Sequence, residues 1–350
     1  MSNSSKYIGY VGTYTKAESK GVYTFSLDTN KEEITDVRVA AELDNPTYVT
    51  VSDDNKYLYA VAKEEDNGGV TAFTIDAQTG ELKPLNSEVS AGAPPCHVSV
   101  NRDNSSVVTA NYHTTKVEAF RTNDDGSVQA PIFVEHQGSG PHERQEKPHL
   151  HYAGFSPDEK YVIAIDLGSD KVITYSLEDS AFNEVNTLST KPGSGPRHIT
   201  FHPNGKFAYV MTELSSEVIA LSFDAEKGSF KELQYISTIP EDFTENNQGS
   251  AIHLSSDGKF VYAGNRGHNS IAIYSVNQNS GELTFVDWSI TEGEWPRDFV
   301  LDPSEKFVVA SNQNSNTLVL FKRDEETGKL SVVQTGVHVP EAVCVKFLKV

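Results

Sequence analysis

One pattern recurs along this chain about every 50 residues, and it limits the folds that the chain can adopt. A short apolar strand leads into a Ser, Pro or Asp corner, a tight turn then ends in lysine and an aromatic residue, and a second apolar strand follows. A third strand, a glycine turn and a fourth, less regular strand complete the unit. The tight turn occupies residues 54–57, 158–161, 204–207, 257–260 and 304–307, with a degenerate copy at 104–106.

Units of four short strands are typical of β-propeller blades; a solenoid is the alternative, but units of this length favour closure into a ring. The seventh unit has one strand before the chain ends, and its missing strands stand at the front, within 7–41. We therefore predict an all-β, seven-bladed β-propeller of four-stranded antiparallel blades, one domain over residues 1–350. N- and C-terminal strands share the last blade, which removes an open sheet edge. The first strands begin at Pro46, Pro95, Pro148, Pro196, Ser250, Pro296 and Pro340.

Charge and composition narrow the range of partners. The formal net charge of -20 repels phosphate backbones and anionic lipid, so we expect neither a nucleic-acid nor a membrane partner. The two cysteines, Cys96 and Cys344, form no metal-binding CxxC spacing and no disulfide framework. Residues 1–6 contain no apolar signal-peptide segment, and no apolar run reaches the roughly 20 residues of a membrane span. We expect a cytoplasmic protein without bound metal or cofactor and leave its oligomeric state open.

The innermost strands carry a ring of polar residues at one end. Aligning the units on the residue before the Ser/Pro/Asp corner gathers two or three arginines at this mouth, and in an acidic chain they indicate a site for a small anion. The positions two residues further along are apolar. The ring consists of Thr47, Cys96, His151, Arg197, Ser250, Arg297 and Glu341, and the next positions are Tyr48, His97, Tyr152, His198, Ala251, Asp298 and Ala342.

The ends of the second strands add charged residues to this mouth. Antiparallel pairing brings the end of a second strand beside the start of the first, so we expect Glu213 near Arg197, with Arg266 in the adjacent blade. Structural alternatives remain open: Asp166 is suited to capping a turn, and His97 and His198 to filling spaces between blades. For Arg266 and Arg297 the alternative is ion pairing between blades.

Several segments resemble the lactonase family of seven-bladed propellers, which includes propeller-type 6-phosphogluconolactonases and fungal carboxymuconate-lactonising enzymes. The resemblance runs from about Tyr7 to the C-terminus. It implies a catalytic histidine at His151, two arginines at Arg197 and Arg266, and an acidic residue at Glu213. The chain departs from the family pattern at 62–63, where Ala-Lys stands in place of Asn-Glu. The segments are 10–15, 95–98, 138–146, 148–151, 195–198, 265–268 and 296–298.

The resemblance implies hydrolysis of a sugar lactone, with 6-phospho-D-glucono-1,5-lactone as the expected substrate. Either His151 or Glu213 takes a proton from water; we favour His151, with Glu213 orienting it or anchoring the arginines. Arg197 or Arg266 stabilises the charge on the carbonyl oxygen. The remaining expected substrate-binding residues are Arg144, His198, Arg297, Asp166 and His97.

Two other functions stay open at this point. Arginines suit carboxylates as well as phosphates, so a cycloisomerase or a lactonase acting on a non-phosphorylated carboxylate fits the same mouth. A non-catalytic scaffold is the third possibility, since fold does not dictate function.

Overall fold

The computed structural model describes residues 5–178 and 181–350, so the expectation for the N-terminal segment falls mainly on residues outside these ranges. Each of seven sheets contains four antiparallel strands. Blade 7 combines β1 (Lys6–Thr13), β2 (Gly21–Asp28) and β3 (Glu33–Glu42) with the last strand of the chain. Blade 1 contains β4 (Val49–Val51), β5 (Tyr57–Glu64), β6 (Asn67–Ile75) and β7 (Leu82–Ala91), and blade 2 contains β8 (His97–Val100), β9 (Ser106–Ala110), β10 (Lys116–Arg121) and β11 (Ile132–Glu135).

Four further blades follow in chain order. Blade 3 contains β12 (Leu150–Phe155), β13 (Val162–Asp166), β14 (Lys171–Glu178) and β15 (Ala181–Ser189). Blade 4 contains β16 (Pro196–Phe201), β17 (Phe207–Thr212), β18 (Glu217–Asp224) and β19 (Ser229–Ser237). Blade 5 contains β20 (Gln248–Leu254), β21 (Phe260–Arg266), β22 (Ser270–Val276) and β23 (Leu283–Ile290). Blade 6 contains β24 (Pro296–Leu301), β25 (Phe307–Asn312), β26 (Thr317–Arg323) and β27 (Leu330–His338), and β28 (Ala342–Phe347) completes blade 7.

The ring is closed by pairing between the first and last strands. β28 lies antiparallel to β1, with Gly9 opposite Phe347 and Gly12 opposite Cys344. The inner strands β4, β8, β12, β16, β20, β24 and β28 contact one another in that order, and β28 contacts β4 again. The predicted seven-bladed propeller, with one blade shared by both ends of the chain, is therefore confirmed.

The recurring turn has a packing role between blades. The aromatic residue of the turn lies against the glycine turn of the next blade, as Phe207 does at Gly281 and Phe260 at Gly328. A Cβ at either glycine would meet the ring at 2.4 Å, and both glycines have positive φ, at 75° and 73°. Two residues beyond Phe207, the hydroxyl of Tyr209 donates to the carbonyl of Gly281 at 3.0 Å. The periodicity of the sequence therefore reflects one blade-to-blade contact repeated around the ring.

Apolar clusters fill the spaces between adjacent blades. One cluster joins Tyr209 and Met211 of β17 to Ala263 of β21 and Tyr274 of β22, all fully buried. Burial of this kind is the main stabilising term, at about 25 cal/mol per Å² of apolar surface. Within the described ranges, no helix has the length and apolar character needed to cross a bilayer.

Candidate active site

A pocket of about 450 Å³ opens at the end of the ring where the inner strands begin. This volume lies in the range of small-molecule sites. The pocket is strongly cationic although the chain as a whole is acidic, because its walls contain five basic side chains and, among the described residues, a single carboxylate. These charged residues are Lys16, Lys63, Arg144, Arg266, Arg297 and Glu213.

Irregular pairing at the start of the inner strands turns side chains towards this pocket. In β12, β16 and β24 the register with the second strand shifts so that His151, Arg197 and Arg297 are each left without a partner residue. Such a bulge bends the strand and redirects one side chain. Comparable shifts occur at the start of β20 and β28. The bulges explain why polar side chains gather here while the residues below them pack in the core.

Glu213 is the centre of the charged network. It follows the last residue of β17, and its Oε2 lies 2.7 Å from Arg266 Nη2 and 3.1 Å from Arg197 Nε. Its Oε1 accepts a hydrogen bond from Arg144 Nη2. The side chains of Glu213, Arg197 and Arg266 are each about 3% exposed. Three arginines from different parts of the ring thus meet on one buried carboxylate, a charge-assisted arrangement that fixes their positions.

The electrostatics of this network keep Glu213 ionised. Burial alone would raise the pKa of its carboxyl group, but Arg266, Arg197 and Arg144 outweigh burial and hold the pKa well below its usual range. Burial and neighbouring arginines lower the pKa of Arg266 to about 9, which still leaves the guanidinium protonated at neutral pH. The Nε of Arg266 is buried and has no hydrogen-bond partner among the described residues, while other atoms of this side chain line the pocket.

His151 lies beside this network as a neutral imidazole. Burial, together with Arg197 and Arg297, lowers its pKa well below the usual value for histidine, against the opposing effect of Glu213. Its Nε2 lies 4.0 Å from Glu213 Oε2, which exceeds a direct hydrogen bond. Its buried Nδ1 has no partner within the part of the chain that the structure describes.

Arg144 reaches the pocket from the loop between β11 and β12. Buried Gln145 anchors this loop, because its Nε2 donates to the carbonyl of Leu167 and to Asp170 Oδ1, both at 2.8 Å. Arg144 Nη1 in turn donates to Gln248 Oε1 at 3.2 Å. The loop therefore places the guanidinium of Arg144 at the pocket, although Arg144 belongs to none of the strands.

The prediction that Glu341 belongs to the polar ring at the mouth is wrong. In blade 7 the corner is occupied by Leu348, whose N–H donates to Ile8 O at 2.9 Å, as Ser52 N–H donates to Tyr57 O in blade 1. The ring position of β28 is therefore Val343, two residues further along. The carboxylate of Glu341 instead accepts backbone N–H groups of the loop at 16–17, at 3.0 and 2.9 Å.

Three predicted substrate-binding residues are not among the pocket walls. Asp166 is fully buried, and its Oδ1 accepts the N–H groups of His149 at 2.8 Å and Gly168 at 2.9 Å, so it caps the turn after β13. His97 and His198 lie one residue further along their strands, with ring centroids 5.2 Å apart. Burial holds the pKa of both well below its usual value, so they are neutral. Asp166 thus has the turn-capping role given as its structural alternative, and His97 and His198 pack against each other and against Tyr48 and Tyr152.

Arg197 also lies just outside the pocket surface. It is 3% exposed, and besides its contact with Glu213 its Nη1 donates to the carbonyl of Ser250 at 2.7 Å. Arg197 therefore holds Glu213 and links blades 4 and 5, whereas Arg144, Arg266 and Arg297 face the pocket.

The structure adds Trp295, Lys63 and Lys16 to the pocket walls, none of which is expected there from the sequence. Trp295 has a φ of 64°, a strained conformation for a non-glycine residue that costs about 1–3 kcal/mol, and its ring centroid lies 5.5 Å from Arg266 Cζ. Lys63 and Lys16 contribute two positive charges. Cys96 also lines the pocket, but burial raises the pKa of its thiol to about 12, so it is no thiolate nucleophile at neutral pH.

No metal-binding cluster occurs at this mouth or elsewhere within residues 5–178 and 181–350, where no group of three or more His, Cys, Asp or Glu side chains is arranged to hold an ion.

Comparison with known proteins agrees with the seven-bladed ring. A family model described as lactonase, 7-bladed beta-propeller, matches residues 8–347. The 6-phosphogluconolactonase of Bacillus subtilis strain 168 is 56% identical over 345 residues, 98% of this chain and 99% of that protein. A crystal structure of a Lactobacillus plantarum protein is 41% identical with a TM-score of 0.95, covering 98% of this chain and all of that one. The periplasmic gluconolactonase of Pseudomonas aeruginosa is 32% identical with a TM-score of 0.93, covering 98% and 99%.

Fold and pocket together define a propeller with an arginine-rich pocket at one end of its ring. The chain belongs to the lactonase family of seven-bladed β-propellers.

Proposed function

We propose that the protein hydrolyses 6-phospho-D-glucono-1,5-lactone to 6-phosphogluconate. The observation that carries this proposal is the neutral His151 beside the Glu213–arginine network, at the wall of a cationic pocket. The strong similarity to a protein named 6-phosphogluconolactonase supports the same substrate. Hydrolysis of an ester-like carbonyl needs a base for water and a donor for the oxygen that becomes negative, and both are available here.

The gap between His151 and Glu213 suits the attacking water. Two atoms 4.0 Å apart can each lie about 2.8 Å from one water oxygen, an ordinary hydrogen-bond distance. His151 then accepts a proton while the water oxygen attacks C1 of the lactone. Glu213 is a poor base because three arginines stabilise its ionised form, so its role is to orient the water and to hold the arginines.

The remaining steps use groups already positioned at the pocket. As the bond to C1 forms, negative charge develops on the carbonyl oxygen, and the guanidinium of Arg266, which lines the pocket, is the donor suited to it. Collapse of the intermediate breaks the bond between C1 and the ring oxygen. Protonated His151 returns its proton to that oxygen, which becomes the C5 hydroxyl, so one water is consumed and the acid is released.

The proposed location is the cytoplasm, and both cysteines are free thiols, which fits a reducing compartment. The absence of nucleic-acid and membrane partners stays a prediction from the net charge.

The purified protein is expected to open freshly made 6-phosphogluconolactone faster than the spontaneous reaction. The measurement is continuous proton release or loss of lactone, corrected for uncatalysed opening. Glucono-1,5-lactone and a muconolactone in parallel assays distinguish the alternative substrates. Hydrolysis of these two without hydrolysis of the phosphorylated lactone would refute the proposed substrate.

Arg266→Ala is expected to lower kcat by about 10²-fold or more with a smaller change in KM, because loss of a donor to the developing oxyanion acts in the transition state. Arg197→Ala is the comparison, since Arg197 contacts Glu213 and Ser250 rather than the pocket. A raised KM with unchanged kcat in Arg266→Ala would instead mean that Arg266 binds the ground state only.

A further inference from the structure

The five basic side chains of the pocket separate into two groups. Arg144 and Arg266 both contact Glu213, and they belong with the residues of blades 3, 4 and 5. Lys16, Lys63 and Arg297 come from blades 7, 1 and 6, which are consecutive on the other side of the ring. Among the ion pairs of the described residues, none joins these three side chains to a carboxylate within 4.0 Å. Within the described part of the chain, no ion pair with a carboxylate therefore offsets the charge of this cationic cluster, Lys16–Lys63–Arg297.

Tyr14 holds two members of the cluster together. Lys16 Nζ lies 4.2 Å from the centroid of the Tyr14 ring, and Arg297 Cζ lies 5.3 Å from the same centroid. An aromatic face attracts cations without neutralising them. Arg297 Nη1 also donates to Gln313 Oε1 at 3.3 Å, a neutral acceptor. Two cations are thus positioned by uncharged groups, which leaves their charge for a ligand.

Two carboxylates that contact the loop at 15–17 are engaged by other groups. Glu341 accepts the backbone N–H groups at 16–17, and Asp44 Oδ1 accepts hydrogen bonds from Asn45 Nδ2, at 2.9 Å, and from Thr15 Oγ1. Neither lines the pocket. Three positive charges without an opposing acid match a group of charge about −2, which is the charge of a phosphate monoester near neutral pH.

We propose that Lys63 and Arg297, with Lys16, bind the phosphate group of the substrate, while the Glu213 side of the pocket acts on the lactone carbonyl. This assignment rests on the proposed function. In the substrate, the ring oxygen, C5 and C6 separate C1 from the phosphate ester, so the two ends need separate protein groups. The division of the pocket between blades 3–5 and blades 6, 7 and 1 provides them. In this assignment, Lys63 selects phosphorylated over unphosphorylated lactones.

Lys63→Met tests this assignment through two substrates. For 6-phosphogluconolactone, KM should rise about 10- to 100-fold with kcat little changed, the loss expected for a hydrogen bond to a charged group. For glucono-1,5-lactone, kcat/KM should stay at the wild-type value. Lys63→Arg, which keeps the charge, should retain most of the selectivity, and Lys231→Met, at an exposed position on β19, is the matched control.

Equal losses on both lactones, or no change on either, would overturn the assignment. So would a selective loss in Arg144→Gln with Lys63→Met unaffected. Calorimetric titration with 6-phosphogluconate distinguishes failure of the phosphate-site assignment from failure of the proposed function. If the wild-type protein does not hydrolyse the phosphorylated lactone but binds 6-phosphogluconate at least tenfold more tightly than Lys63→Met does, the phosphate site stands and the proposed reaction fails. Equal affinity of the wild-type protein and Lys63→Met for 6-phosphogluconate would refute the proposed phosphate site.

Discussion

His151→Ala is expected to lower kcat for 6-phosphogluconolactone about 10²- to 10⁴-fold, the range produced by loss of a positioned base. The melting temperature should stay near the wild-type value, because the imidazole Nδ1 makes no hydrogen bond with the described residues. The wild-type pH profile gives a second readout. Because burial and Arg197 lower the pKa of His151 well below 6.5, kcat/KM for glucono-1,5-lactone, which has no phosphate that titrates at about pH 6, should stay level as pH falls through 6.5 and decline only further down.

Glu213→Gln is the matched variant and should behave differently. The amide leaves three arginines without their carboxylate, and breaking a buried ion pair typically lowers the free energy of unfolding by about 3–5 kcal/mol. We expect a lower melting temperature and some remaining activity. Nearly full activity in His151→Ala, together with an inactive but folded Glu213→Gln, would reverse the two roles.

Deletion of residues 340–350 is expected to abolish the cooperative melt of the protein. The deletion removes β28, exposes the edge of β1 and removes Val345, Phe347 and Leu348 from buried positions. Each large apolar side chain contributes about 1.5–3 kcal/mol on burial, and a typical domain has only about 5–15 kcal/mol in total. The same deletion leaves Asp298 without Lys346, whose Nζ lies 3.8 Å away.

Removal of Val350 alone is the control, since this residue is almost fully exposed and lies beyond β28. Differential scanning calorimetry and size-exclusion chromatography distinguish the two proteins. A sharp melt of the longer deletion at the wild-type temperature would contradict the closure of the ring through β28.

The sequence predicts the ring well because its signals are local. The aromatic residue of each turn and the glycine of the next blade are both visible in the sequence, and their spacing is set by one repeated contact. The pairing of Glu213 with Arg197 and Arg266 also follows from blade alignment, since antiparallel neighbours fix which strand ends meet.

The remaining features depend on geometry that the sequence does not display. Glu341 lies two residues from the ring position of blade 7, because the corner of this blade has Leu348 where the other blades have a polar residue. Lys63 stands where the chain departs from the family pattern, so the resemblance implies no role for it, and its place on the pocket wall depends on where β5 ends. Asp166 points into the turn after β13, which its place as an aspartate at a strand end allows, but only the hydrogen bonds to backbone groups decide between that role and the pocket.

The bulges at the start of the inner strands have a consequence for how this architecture diversifies. Below the mouth, the side chains of an inner strand alternate between the two faces of its sheet, so a substitution there disturbs the packing of the ring. The unpaired residue at the bulge, such as Arg297, does not follow this alternation. Its side chain can be exchanged while the backbone pairing on either side persists. Substitutions at these few positions can therefore change the substrate preference during evolution, while the strand pairing of the propeller stays the same.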